Sequence, residues 1–174
     1  MKTLVIHPSD TTTDFLSIVY KNSPWTVVRT DIPESLLKKL VRVHDRIIMM
    51  GHGTENGLIS GDRRRLVVDS QWVYLLKLKR CVYIWCNADK FVKKYNLWGF
   101  YTGMFISEYN EAIDNCIQSS NASIDFSNRL FSMAVRDFID DDNMLEKVKD
   151  VYKSDSCPVI KFNNERLFFK PEED

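Results

Sequence analysis

Short apolar or β-branched runs recur at residues 4–6, 26–28, 47–50, 82–85 and 104–106, most of them separated by stretches whose apolar residues fall at helical spacing. Brief apolar runs bounded by Gly or polar residues read as strands buried on both faces, the pattern of a parallel sheet. Their alternation with helices predicts an α/β fold with right-handed crossovers. Asp10, Thr11, Thr12 and Thr13 offer N-caps to a helix bearing Phe15, Leu16, Ile18 and Val19, and Pro33-Glu34 opens another bearing Leu36, Leu37, Leu40 and Val41. Two apolar runs around Gly61-Asp62 predict a β-hairpin over 57–69, followed by a helix carrying Trp72, Val73, Leu75 and Leu76. Helices are expected over 125–139 and 144–152. The runs 159–162 and 166–169, flanking Asn163-Asn164-Glu165, read as a terminal strand or hairpin at the sheet edge.

Length changes this picture little, because 174 residues fit one domain and no repeat, low-complexity tract or linker divides them. Twenty-four basic residues balance 24 acidic ones, so no overall field favours nucleic acid or an anionic membrane. Arg63-Arg64-Arg65, the one concentrated basic run, reads as a solvated hairpin tip or a contact for an acidic partner. Cys81, Cys86, Cys116 and Cys157 have neither zinc-ligand spacing nor a disulfide framework. With no apolar run of signal-peptide or membrane-spanning length, the expected location is cytoplasmic, and neither a metal nor a cofactor is expected.

Chemistry concentrates at two strand ends. The run 47–50 leads into Gly51-His52-Gly53, and 82–85 leads into Cys86-Asn87-Ala88. Catalytic groups of parallel sheets gather at the carboxyl ends of strands, so these segments can bring a thiol and an imidazole together. Such a pair serves as nucleophile and general base. The backbone N–H groups of Gly53 and Cys86 are the natural oxyanion donors. Asn87, just past Cys86, and His7, Ser107 and Glu108, at other strand ends, are possible substrate contacts. His7 precedes Pro8, which favours a structural or wall role. A bland reading makes His52 a turn histidine and Cys86 an inert core thiol. Cys81, Cys116 and Cys157 read as ordinary residues, and Trp98-Gly99-Phe100-Tyr101 as either a pocket wall or a strand start.

The segment from about residue 46 to 88, with an apolar strand ending in His52-Gly53, a hairpin, a helix and an apolar strand ending in Cys86, resembles the caspase-like cysteine peptidases. The Cys86-Asn87-Ala88 ending is closer to the bacterial CHAT and gingipain-type branches than to animal caspases. The resemblance implies a three-layer α/β/α sandwich with a mostly parallel sheet of about six strands over 1–174. It also implies a Cys86–His52 dyad that hydrolyses peptide bonds through a thioester, with a peptide or protein as substrate. The Gln-Ala-Cys-Arg-Gly context of animal caspases is absent, so their aspartate preference does not transfer. The alternative is a catalytically inactive α/β binding module, flavodoxin-like in arrangement, that holds a nucleotide or protein partner in the same crevice. A phosphate at the Asp10–Thr13 helix start would suit it, although no Gly-rich loop accompanies that start.

Overall fold

Arg46–Met50 and Arg80–Ile84 carry almost no polar side chains in their middles, and they form the centre of a sheet covered on both faces. The computed structural model describes residues 1–172; Glu173 and Asp174 lie outside the described residues. In chain order, β1 (Thr3–Ile6) leads through a 3₁₀ helix (Thr11–Tyr20) to β2 (Thr26–Val28), α1 (Glu34–Val43) and β3 (Arg46–Met50). A side sheet of β4 (Gly53–Thr54), β5 (Gly57–Ile59) and β6 (Leu66–Val68) follows, then a 3₁₀ turn (Ser70–Trp72) and α2 (Val73–Leu76). The chain continues through β7 (Arg80–Ile84), α3 (Ala88–Lys94), β8 (Gly99–Thr102), α4 (Tyr109–Asp114), α5 (Asn121–Phe138), α6 (Met144–Val151), α7 (Pro158–Asn164) and β9 (Leu167–Lys170).

The main sheet has the order β2-β1-β3-β7-β8-β9, parallel except for the antiparallel edge strand β9. Successive side chains on a strand point to opposite faces, and the core divides accordingly. Leu4, Ile6, Ile47, Met49, Tyr83 and Trp85 pack against α1, α2 and α3. Val5, Ile48, Met50, Val82 and Ile84 pack against the first 3₁₀ helix and against α5, α6 and α7. The architecture is a three-layer α/β/α sandwich. Among the described residues no helix is long and apolar enough to cross a membrane.

Arg46 begins the central strand β3 and is 1% exposed. Its guanidinium donates to Thr3 Oγ1 (3.1 Å), Ile139 O (3.2 Å) and Asp140 Oδ1 (2.5 Å) and lies over the Trp25 ring. These partners satisfy a charge that would otherwise be costly to bury. They tie the N-terminal end of the sheet to the end of α5.

Two expectations are corrected. The fifth strand is Gly99–Thr102, not 104–106. Gly99 opens it at φ +117, where an added Cβ would stand 1.9 Å from the Cys81 carbonyl oxygen, so a side chain there would push β8 off β7. Phe105 and Ile106 are buried without a ladder, because Asn163 replaces one: its Oδ1 accepts from Ile106 N (2.8 Å) and its Nδ2 donates to Ile106 O (2.9 Å). Residues 159–162 lie in α7 rather than a strand, since Pro158 at the first turn presets helical φ. Residues 166–169 do contribute to an edge strand, β9.

Candidate active site

The register of β3 on β7 pairs Met50 with Ile84, so His52 and Cys86 each lie two residues beyond a matched pair on adjacent parallel strands. Gly51 N–H still donates to Ile84 O at 3.0 Å, which keeps the chains together past the ladder. Gly51 then takes φ +143, a conformation that glycine tolerates and side chains resist. Gly53 is required for space: an added Cβ would lie 2.1 Å from Trp85 Cδ1. This close approach lets Trp85 Nε1 donate to Thr54 O (3.0 Å), pinning the side sheet onto the Cys86 strand. Ile59 N–H donates to His52 O, making Gly53–Leu58 a non-hydrogen-bonded pair whose Gly53 N–H points away from β5.

Cys86 sits in the turn between β7 and α3. Thr102 Oγ1 accepts from Trp85 N (3.1 Å) and donates to Trp85 O (2.8 Å), while Asn87 N donates to Gly103 O (3.1 Å). Asn87 occupies the left-handed region at φ 65, which Asn adopts more readily than most residues. Its side chain caps no helix. The Cys86 thiol donates to Phe105 O (3.3 Å) and lies 3.8 Å from Glu111 Oε1. Burial first, then the Glu111 charge, pushes its pKa up to about 12, so the resting sulfur is protonated.

His52 Nε2 lies 2.7 Å from Thr12 Oγ1, 3.0 Å from Arg63 Nη2 and 3.8 Å from Asp10 Oδ2. Thr12 Oγ1 lies 2.7 Å from Asp10 Oδ1 as well, and Arg63 donates to Asp10 Oδ2 (3.1 Å) and Thr12 Oγ1 (3.2 Å). Burial alone would raise the Asp10 pKa, but the hydrogen bonds from Thr12 and Arg63 outweigh it and hold it down to about 2. Two proton arrangements suit this cluster. Nε2 can accept from Arg63, or it can donate to Thr12 while Thr12 donates on to Asp10. Among the described residues Nδ1 makes no hydrogen bond.

His52 and Cys86 make no hydrogen bond to each other among the described residues, yet both line one narrow cleft with Thr13, Phe15, Phe105 and Ser107. Phe15 and Ser107 also line a wider, open groove that continues past Thr12, Glu108, Asn128 and Arg129. Ser107 N (2.7 Å), Ser107 Oγ (3.1 Å) and Glu108 N (3.0 Å) all donate to Glu111 Oε2, while Glu108 caps the start of α4. One donor atom from each of His52, Glu108 and Glu111 falls within 4.8 Å of the others.

The residues named from sequence therefore divide. His52, Cys86 and Ser107 share the cleft and Glu108 lines the adjoining groove, whereas Gly53 lines neither, although its N–H points away from β5. His7 is fully buried, with Nδ1 3.0 Å from Tyr20 Oη and Nε2 3.3 Å from Thr13 Oγ1, so it supports the 3₁₀ helix and lines neither the cleft nor the groove. Arg63 is not simply a solvated tip, since its guanidinium reaches into the His52 cluster. Trp98 and Tyr101 stay out of the cleft: Trp98 Nε1 donates to Lys77 O (3.1 Å), and Tyr101 stacks on Phe168. Sequence reasoning does not single out Glu111, and it reads Asp10 and Thr12 only as a helix start suited to a phosphate and Arg63 only as part of a basic hairpin tip, none of them as partners of His52. Local pattern shows Asp10 as a cap and Glu108/Glu111 as a capping pair, but not the approach of the hairpin tip to the loop after β1. No protein-family model matches this chain, and no curated protein matches it.

Proposed function

We propose that the protein is a caspase-like cysteine peptidase that cleaves peptide bonds with Cys86 as nucleophile and His52 as general base. The observation that carries this reading is the β3–β7 register, which sets both residues at equivalent positions beyond adjacent strands and along one cleft. In the productive proton arrangement, Nε2–H of His52 donates to Thr12 and Thr12 to Asp10, leaving the Nδ1 lone pair as the base. Thr12 and Asp10 are positioning residues, fixing tautomer and ring orientation as the third member of a triad does.

Because the resting thiol is protonated, sulfur attacks the scissile carbonyl as its proton passes to His52. The tetrahedral oxyanion is held by the N–H groups of Gly53 and Cys86. His52 then delivers the proton to the departing amine, leaving a thioester on Cys86. Water, deprotonated by His52, hydrolyses that thioester and restores the thiol.

A screen of unfolded protein substrates, read by mass spectrometry for new termini, tests the proposal. Cleavage should disappear in Cys86→Ala and His52→Ala, and Thr12→Val should lower kcat while leaving KM nearly unchanged. Cleavage that persists in Cys86→Ala would refute it.

One observation favours the second reading, a non-catalytic flavodoxin-like module for a nucleotide or protein partner: the Cys86 thiol bonds to Phe105 O and Glu111 rather than to His52. Under that reading Cys86→Ala keeps all function, and no substrate is cut.

A further inference from the structure

We propose that the cleft is also a zinc site, in which His52, Glu108, Glu111 and the Cys86 sulfur hold one Zn²⁺ and thereby silence the dyad. The silencing rests on the peptidase reading; the metal site does not. Three donor atoms, one each from His52, Glu108 and Glu111, already lie within 4.8 Å of one another. The Cys86 sulfur lies 3.8 Å from Glu111 Oε1, beside this group of three but outside it, and reaches the ion as the fourth ligand by rotation about its Cα–Cβ bond. Imidazole, carboxylate and thiolate are the ligand types zinc selects, and tetrahedral binding at ~2.1–2.3 Å needs donors about 3.4–3.8 Å apart. Small side-chain rotations close the remaining distance.

The supporting contacts suit a ligand role. Glu111 Oε2 is fixed by Ser107 and Glu108 N–H groups, which leaves Oε1 on the cleft side near sulfur. Thr12 and Arg63 occupy Nε2 of His52, leaving Nδ1 for the metal. Such outer contacts orient ligands and raise affinity. Two carboxylates around a thiol also gather negative charge that a divalent cation relieves. On binding, Cys86 gives its proton to solvent and the sulfur electron pair to zinc. His52 donates the lone pair that would have accepted the Cys86 proton, so metal binding and peptide attack exclude each other.

The test is a titration of the full chain with Zn²⁺ by calorimetry and with Co²⁺ by absorption, both without substrate. The expected result is one ion per chain and a thiolate-to-cobalt charge-transfer band that disappears in Cys86→Ser and persists in Cys116→Ser. Glu108→Gln should bind at least tenfold more weakly while keeping the wild-type melting temperature, and Glu111→Gln provides a second variant should Glu108→Gln fail to fold. No saturable binding, or equal binding by wild type and these variants, would overturn the site. Zinc binding by a chain that cleaves no peptide even when zinc-free keeps the site and removes the peptidase reading. Cleavage unaffected by bound zinc keeps the peptidase reading and overturns the silencing.

Discussion

Lowering the pH should weaken the protein through His7, well before most carboxylates titrate. His7 is completely enclosed, and burial first, then the nearby Arg29 charge, lowers its pKa from 6.5 to about 4. The folded protein therefore keeps His7 neutral down to about pH 4, while the unfolded chain protonates it near 6.5. Between those values the unfolded state binds more protons, so stability present above pH 6.5 is lost as pH falls and levels off near 4 for this group. About 2.5 pH units at ~1.36 kcal/mol each give a loss of about 3 kcal/mol, an upper bound. Urea unfolding of wild type and His7→Gln from pH 7.5 to 4 isolates the effect, because His44 and His52 are common to both. Gln retains hydrogen-bonding groups for Tyr20 and Thr13. The stability difference should move by up to about 3 kcal/mol in favour of the variant as pH falls. Parallel curves, or a His7 ring that titrates near 6.5 by NMR, would refute the reasoning.

Gly53→Ala should destabilise by about 2–3 kcal/mol in thermal or urea unfolding, because its methyl meets the rigid Trp85 ring at 2.1 Å, and under the proposed peptidase reading it should cut cleavage at least tenfold by moving His52. Glu111→Gln removes a charge that raises the Cys86 pKa, so iodoacetamide should label Cys86 faster at pH 8 than in wild type, where exposed Cys116 reacts first; unchanged Cys86 labelling by mass spectrometry would count against the Glu111 contact. Arg46→Ala should cost about 3 kcal/mol, whereas Asp140→Asn, whose carboxylate is largely exposed, should cost about 1 kcal/mol or less. Both lie at the opposite end of the sheet from Cys86, so kcat per folded molecule should not change.

The sheet was legible because its strands are short, apolar and continuous, and because a strand ending in glycine or a polar turn marks where the ladder stops. His52 and Cys86 could be placed by that rule alone, since each follows such a run. Phe105 and Ile106 misled for a specific reason: their burial is strand-like, but a distant Asn163 side chain pairs the backbone groups of Ile106 and the Cys86 thiol donates to Phe105 O. Residues 159–162 failed because a four-residue run of three apolar residues and Lys161 is too short to show a period, and Pro158 decided the outcome. Arg63, Thr12 and Glu111 became site residues only through contacts between segments far apart in sequence. No local spacing encodes the meeting of a hairpin tip with the loop beyond β1.

Trp85 gives the cleft an optical reporter. Its ring is buried edge-on to Tyr83 and Phe91, its Nε1 is held by Thr54 O, and it borders the cleft beside His52 and Cys86. Trp25 stacks under Arg46 at the far end of the sheet, Trp72 borders a separate pocket, and Trp98 is fixed to Lys77 O. Replacing those three with phenylalanine would leave a chain whose intrinsic emission comes from one indole at the cleft wall. Occupancy by a peptide or an ion could then be followed in real time without a label, even in a variant whose sulfur has been removed.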